Sequence, residues 1–360
     1  MNVVYFDGIG CQDTFTWNGT SFLPPAGSYD ALVFTAPTNK YTLQSSHGTL
    51  FTFDASGTGT YRLSSIKERN GTILSLQYDQ TGKLQTITDP LGRQLTIAYN
   101  PQGRISTITD WSSRVVSYSY VAGDLVSVRS PTATGFPSGK TTAYGYSTHR
   151  LSTITDPKGQ LFLQNIFDAQ NRVQTQRYGT ASQLFQFTYT AGKTTQIDRA
   201  GNTVDFEYSA AGNLTRRTQY TRGLRPTDPA SFVTTFSYNP NLERIEVVLP
   251  DGDKRQFTYD MTNPNRQAQG NLRSVRRVSQ NAGDPSLLVS YTYEPLYNLI
   301  KTVTDWRSFV TTYYYDYEEA QLGDLNGDGL TNQQLGNVVK VSFPQVSLGQ
   351  PTPQVIEVKA

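Results

Sequence analysis

From residue 50 onward, apolar and polar positions alternate with a period of two in short runs, and each run closes on an aromatic residue. Leu74, Leu76 and Tyr78 form one run. Leu95/Ile97/Tyr99, Val116/Tyr118/Tyr120, Phe185/Phe187/Tyr189, Val204/Phe206/Tyr208 and Val289/Tyr291/Tyr293 repeat it. The positions between are mostly Thr, Ser, Gln or Ala, so one face is buried and the other is wetter. β-Branched and aromatic residues suit such a half-buried pleated surface. A helix would need apolar residues three and four apart, and these runs lack that spacing. The pattern predicts strands.

Turn formers follow each run, as in Asp79-Gln-Thr-Gly82, Asn100-Pro-Gln-Gly103 and Ser209-Ala-Ala-Gly212. Asp, Asn and Ser hydrogen-bond their own backbone at a turn start, and Gly supplies a positive φ. A second strand comes next (Leu84–Thr88, Ile105–Thr109, Leu151–Thr155) and ends in Asp89-Pro90, Asp110-Trp111 or Asp156-Pro157. Another Gly turn closes the unit. Leu84 and Ile87, Ile105 and Ile108, and Leu151 and Ile154 are each three apart, which a regular strand cannot place on one face. Either a bulge lies between them or both faces are partly covered.

The aromatic-plus-turn signal recurs at Tyr78, Tyr99, Tyr120, Tyr146, Phe167, Tyr189, Tyr208, Tyr238, Tyr259, Tyr293 and Tyr315, most often 21 residues apart. Such a period marks a repeat architecture. The array is expected to cover residues 51–343, with an inserted loop at 324–335. Residues 1–50, interrupted by Pro24, Pro25 and Pro37, are expected to cap or precede it, and 344–360 to form a linker or the next unit. Two units have the size of a propeller blade, so a closed propeller is the rival architecture.

The motif Tyr78-Asp79-x-x-Gly82-x-Leu84-x-x-Ile87-Thr88-Asp89-Pro90-x-Gly92-Arg93 resembles the YD repeat of RHS-repeat proteins and teneurins, over roughly residues 50–340. The resemblance implies an all-β fold, with tandem hairpins in a continuous curved or spiralling antiparallel sheet that forms part of a β-shell. In bacterial members such shells enclose a toxin; in teneurins they serve adhesion at the cell surface. It further implies a non-catalytic structural segment of a large secreted or cell-surface protein, bacterial in origin. Its expected partners are the remaining repeats of a parent chain or a second copy, met through sheet edges. A carbohydrate- or protein-binding adhesion module is the alternative. Family members that cut themselves carry Asp-Pro-x-Gly after an upstream Pro. Asp89-Pro90-Leu91-Gly92 and Asp156-Pro157-Lys158-Gly159 match only that ending, and Leu84 and Leu151 stand where the Pro would be. Neither an autoprotease nor a toxin is expected.

Composition narrows the classes. Charged residues make up 17% of the 360, the net charge is +2 and aromatics reach 12%. Disorder calls for few aromatics and high charge, and a dedicated nucleic-acid binder for a basic excess. Arg216, Arg217, Arg222, Arg225, Arg266, Arg273, Arg276 and Arg277 make the middle of the chain locally basic, read as a solvated surface. No apolar run is long enough to span a membrane as a helix, and the first residues lack the features of a signal peptide. The single Cys11 excludes an intrachain disulfide and a Cys-based zinc cluster. His47 and His149 are the only histidines, and neither lies in a nucleophile motif.

Two candidate sites remain. Asp324-Leu-Asn326-Gly-Asp328-Gly329-Leu330-Thr-Asn332 follows the calcium-loop pattern. Side-chain oxygens of Asp324, Asn326 and Asp328, the Leu330 carbonyl and Asn332 suit a hard cation, so one Ca2+ is expected. The loop resembles a dockerin or EF-hand loop, but Leu335 occupies the twelfth position where a bidentate carboxylate belongs. Glu318, Glu319 or Asp316 would have to fold back to supply it. Trp111 and Trp306 replace the Pro after a strand-ending Asp. They are read either as platforms for sugars or as rings packed across the next turn.

Overall fold

The computed structural model describes residues 2–180, 184–223, 225–318, 323–324, 335–344 and 357–359. Strands Asn2–Phe6, Gln12–Trp17 and Phe22–Leu23 form a three-stranded antiparallel sheet. From Ala31–Thr35 onward, the strands follow chain order in one long antiparallel sheet that is not closed into a barrel. The expected fold class is therefore the one observed. A propeller would break the ladder after every fourth strand. Here it runs through consecutive hairpins from Leu84–Thr88 to Ser231–Tyr238.

The chain divides into two compact units, Leu76–Thr235 and Met1–Ser75 with Phe236–Ala360. In the first of these, the paired strands answer the question left by the three-residue spacings. Tyr99 faces Ile105 and Ala98 faces Thr107, so Ser106 is an extra residue. Ile97 faces Ile108, which puts Ile105 and Ile108 on the same face after all. Leu151 and Ile154 likewise face Tyr146 and Tyr144, with Ser152 spare. A bulge opposite the repeat aromatic recurs at Tyr120, Phe167 and Tyr208 in this unit. In the other unit it recurs at Phe53, Tyr259, Tyr293 and Tyr315.

In the unit holding both termini, apolar residues from the small sheet and the first long strands pack together. Phe15, Phe22, Leu32, Tyr41 and Leu43 are its buried centre, flanked by Val3, Tyr5, Phe51, Phe53 and Tyr61. Tyr41 meets Phe22, Phe34 and Tyr61 in tilted or edge-on contacts, the arrangements favoured by ring quadrupoles.

Candidate functional site

The turns are built alike. The Asp79 carboxylate accepts the Thr81 amide at 2.8 Å and the Lys83 amide at 2.9 Å, while the Asp79 amide donates to the Lys83 carbonyl. Asp110, Asp168, Asp198 and Asp305 repeat this pattern. So do both Asp-Pro sites. Asp89 accepts the Leu91 and Arg93 amides, and Asp156 those of Lys158 and Gln160. These aspartates close exposed turns.

A second device joins neighbouring hairpins. In several units the hydroxyl of the repeat tyrosine donates to the carbonyl of the residue that faces the preceding repeat aromatic. Tyr146 reaches Leu125, Tyr189 reaches Val173, Tyr293 reaches Leu272 and Tyr315 reaches Ile300, at 2.6–3.0 Å. Tyr99 and Tyr259 donate in the same way to Leu84 and Arg244. Cations from the preceding turn lie over several of these rings: Lys83 over Tyr99 at 5.2 Å, Arg104 over Tyr120 at 5.7 Å and Arg172 over Tyr189 at 4.4 Å.

Three enlarged turns in the unit with both termini keep the closing bond of the short form. Glu294 stands where other units have Asp, and its turn is one residue longer. Its amide donates to the Leu299 carbonyl at 2.9 Å, and its carboxylate accepts the amides of Leu296, Tyr297 and Leu299. The extra methylene spans the extra residue. Asp260 pairs its amide with the Asn271 carbonyl at 2.8 Å, and Asp316 with that of Asn337 at 2.9 Å. Glu294 and Asp316 are each 3% exposed, so these acceptors hold the turns from inside.

The enlarged turns meet the N-terminal segment of the same unit. Tyr29 donates its hydroxyl to Glu243, and the Arg266 guanidinium covers its ring at 4.4 Å. Burial first, and then the Glu243 carboxylate, push the Tyr29 phenol above its ordinary range. Arg266 donates to the Ser28 carbonyl, Gln267 to that of Gln44 and Asn298 to that of Ser46; His47 Nδ1 lies 3.1 Å from the Tyr297 carbonyl. Gly270 has φ +75° and faces the Tyr29 ring, where a Cβ would come within 2.3 Å. Gly48, at φ +93°, is closed off in the same way by Tyr297. None of these contacts was legible in the sequence, because the partners lie some two hundred residues apart and share no motif.

The predicted calcium loop grows out of the Asp316 turn. Asp324 is exposed; Asn326, Asp328, Leu330 and Asn332 lie outside the described residues. Asp316 and Glu318 make their bonds at the base of the loop. The Asp316 carboxylate accepts the amides of Tyr317, Leu335, Gly336 and Asn337. Glu318 binds Lys301 Nζ at 2.7 and 2.8 Å and accepts the Tyr315 amide. Both carboxylates fasten the base of the loop. Glu319 lies outside the described residues.

Trp111 and Trp306 are 53% and 56% exposed. Arg93, itself bonded to Asp89, lies over the Trp111 ring at 4.5 Å, and Arg307 lies 5.4 Å from that of Trp306. Of the arginines in the basic stretch, Arg216 pairs with Glu207 at 3.8 Å and Arg273 with Asp260 at 3.4 Å.

The teneurin YD-shell family model matches residues 38–162. A crystal structure of TcdB2-TccC3-Cdc42 shares the fold with a TM-score of 0.53 at 13% identity, over 99% of this chain and 20% of that one. TcdB2-TccC3-TEV gives 0.54 at 12% identity, again over 99% of this chain and 20% of that one. TcdB2-TccC3 gives 0.51 at 13%, over 96% of this chain and 20% of that one. The chain thus spans about a fifth of the length of the structures it matches. Comparison with curated proteins finds no match. The family match and the shared fold support reading the chain as a YD/RHS-repeat segment of the shell type.

Proposed function

We propose that the chain is a non-catalytic wall segment of a larger RHS/YD-repeat protein, bacterial and secreted or displayed at the cell surface. One observation carries this: from Leu84–Thr88 to Ser231–Tyr238 each strand is bonded to the next in one antiparallel ladder, and several units add the same tyrosine hydroxyl, so the repeats spend their chemistry on continuity. In this reading one Ca2+ binds the loop through Asp324, Asn326, Asp328, Leu330 and Asn332, and rigidifies the turn that Asp316 fastens. Calcium should raise the melting temperature by a few degrees, and Asp328→Ala should abolish the rise. Calorimetry showing neither heat nor a thermal shift in the parent chain would remove the calcium.

The exposure of Trp111 and Trp306 favours a second role for the rim, contact with glycans. Arg93 lies over the Trp111 ring at 4.5 Å and Arg114 at 5.9 Å, so a sugar would stack on the part of the ring these cations leave exposed. Glycan-array binding that survives both Trp111→Ala and Trp306→Ala would exclude this role.

A further inference from the structure

We propose that Arg255 and Arg277 form a binding site for a tetrahedral oxyanion of the phosphate or sulfate ester class. They lie on neighbouring strands, Lys254–Tyr259 and Leu272–Val278, directly opposite each other in the antiparallel register. Opposed side chains share one face at short range, where like charges repel. Elsewhere the chain sets opposite charges at such positions. Lys40 faces Asp54 and pairs with it at 2.9 Å, and Glu207 faces Arg216. The row through the two arginines continues to Val247 on one side and Leu287 on the other, so it holds no carboxylate. Among the described residues, neither guanidinium makes an ion pair, a hydrogen bond or a ring contact.

Both arginines line an open cleft of about 390 Å3, with Lys254 beside them and Leu249, Pro285 and Leu287 along an apolar side. Two carboxylates share the cleft, and both are committed to turns. Asp253 accepts the Gln280 amide at 3.0 Å. Asp284 accepts the Ser279 hydroxyl at 2.7 Å and the Asn281 side-chain amide at 3.2 Å. Two guanidinium forks match the oxygens of one tetrahedral anion. The apolar side leaves room for the group that the ester carries.

Isothermal titration of the 360-residue chain at low ionic strength, with inorganic phosphate, sulfate and acetate in parallel, tests the site. Saturable binding of phosphate, sulfate or both is expected, and which of them binds identifies the ester. Arg255→Gln and Arg277→Gln should each weaken that binding by about tenfold or more. Arg276→Gln, on the opposite face of the strand, should leave it unchanged. Without anion, the Arg255 and Arg277 variants should melt no lower than the parent, because a repulsion has been removed, which separates lost binding from lost folding. No saturable heat, an equal affinity for acetate, or equal weakening by Arg276→Gln would each overturn the proposal.

Discussion

At Phe167 the repeat lacks its tyrosine hydroxyl, and the carbonyl left over, that of Leu151, accepts the Asn165 side-chain amide at 3.2 Å instead. Asn165 also accepts from Gln176 at 3.0 Å. Replacing Asn165 by Ala should therefore cost about 1–2 kcal/mol, because a half-buried carbonyl and an amide lose their partners. Adding Phe167→Tyr to that variant should recover about half, since a hydroxyl can then reach Leu151 as Tyr146 reaches Leu125. Chemical denaturation measures both, and a double variant no more stable than the single would sink the account. The Asp and Gly of each turn were legible in the sequence because their chemistry is settled within five residues. The target of the hydroxyl was not, because it lies a whole hairpin away.

The turns also govern how the array responds to pH. Hydrogen bonds hold three of their carboxylates below the usual range, chiefly the Lys83 amide on Asp79, the Arg172 amide on Asp168 and the Asn202 side chain on Asp198. Asp205 behaves alike: burial pushes it up, but Lys193, Thr195 and Tyr220 outweigh that. A depressed folded value means that the stabilisation is complete above the unfolded value of 3.8 and is lost as pH falls through the folded one. Burial pushes Tyr99, Tyr146, Tyr189, Tyr259 and Tyr293 the other way, and Tyr315 to about 12. Their contribution is complete below 10.0 and is lost as pH rises through the folded values. Melting followed by circular dichroism should show a plateau bounded by an acid and an alkaline fall. A melting temperature unchanged on acidification through and well below that carboxylate value would show that the turn carboxylates contribute nothing. The bulge opposite the repeat aromatic stayed open in the sequence because an apolar spacing of three fits two geometries. Pairing of Ile97 with Ile108 decides between them.

Taken whole, the long sheet is open, and an open sheet carries edges whose backbone groups invite another strand. Sedimentation velocity should show association that grows with concentration; a monodisperse, heat-stable monomer would count against edge pairing. The enlarged turns bear on what such a sheet can carry. A turn of five residues at Asp79, one of twelve at Asp260 and one of twenty-two at Asp316 close on the same amide-to-carbonyl bond. Each doubling of a flexible loop costs only about 0.6 kcal/mol in closure entropy. The rim is thus a row of splice points, at which foreign sequence can enter a unit while the strands on either side keep their register. What such a wall displays can then diverge independently of what holds it up.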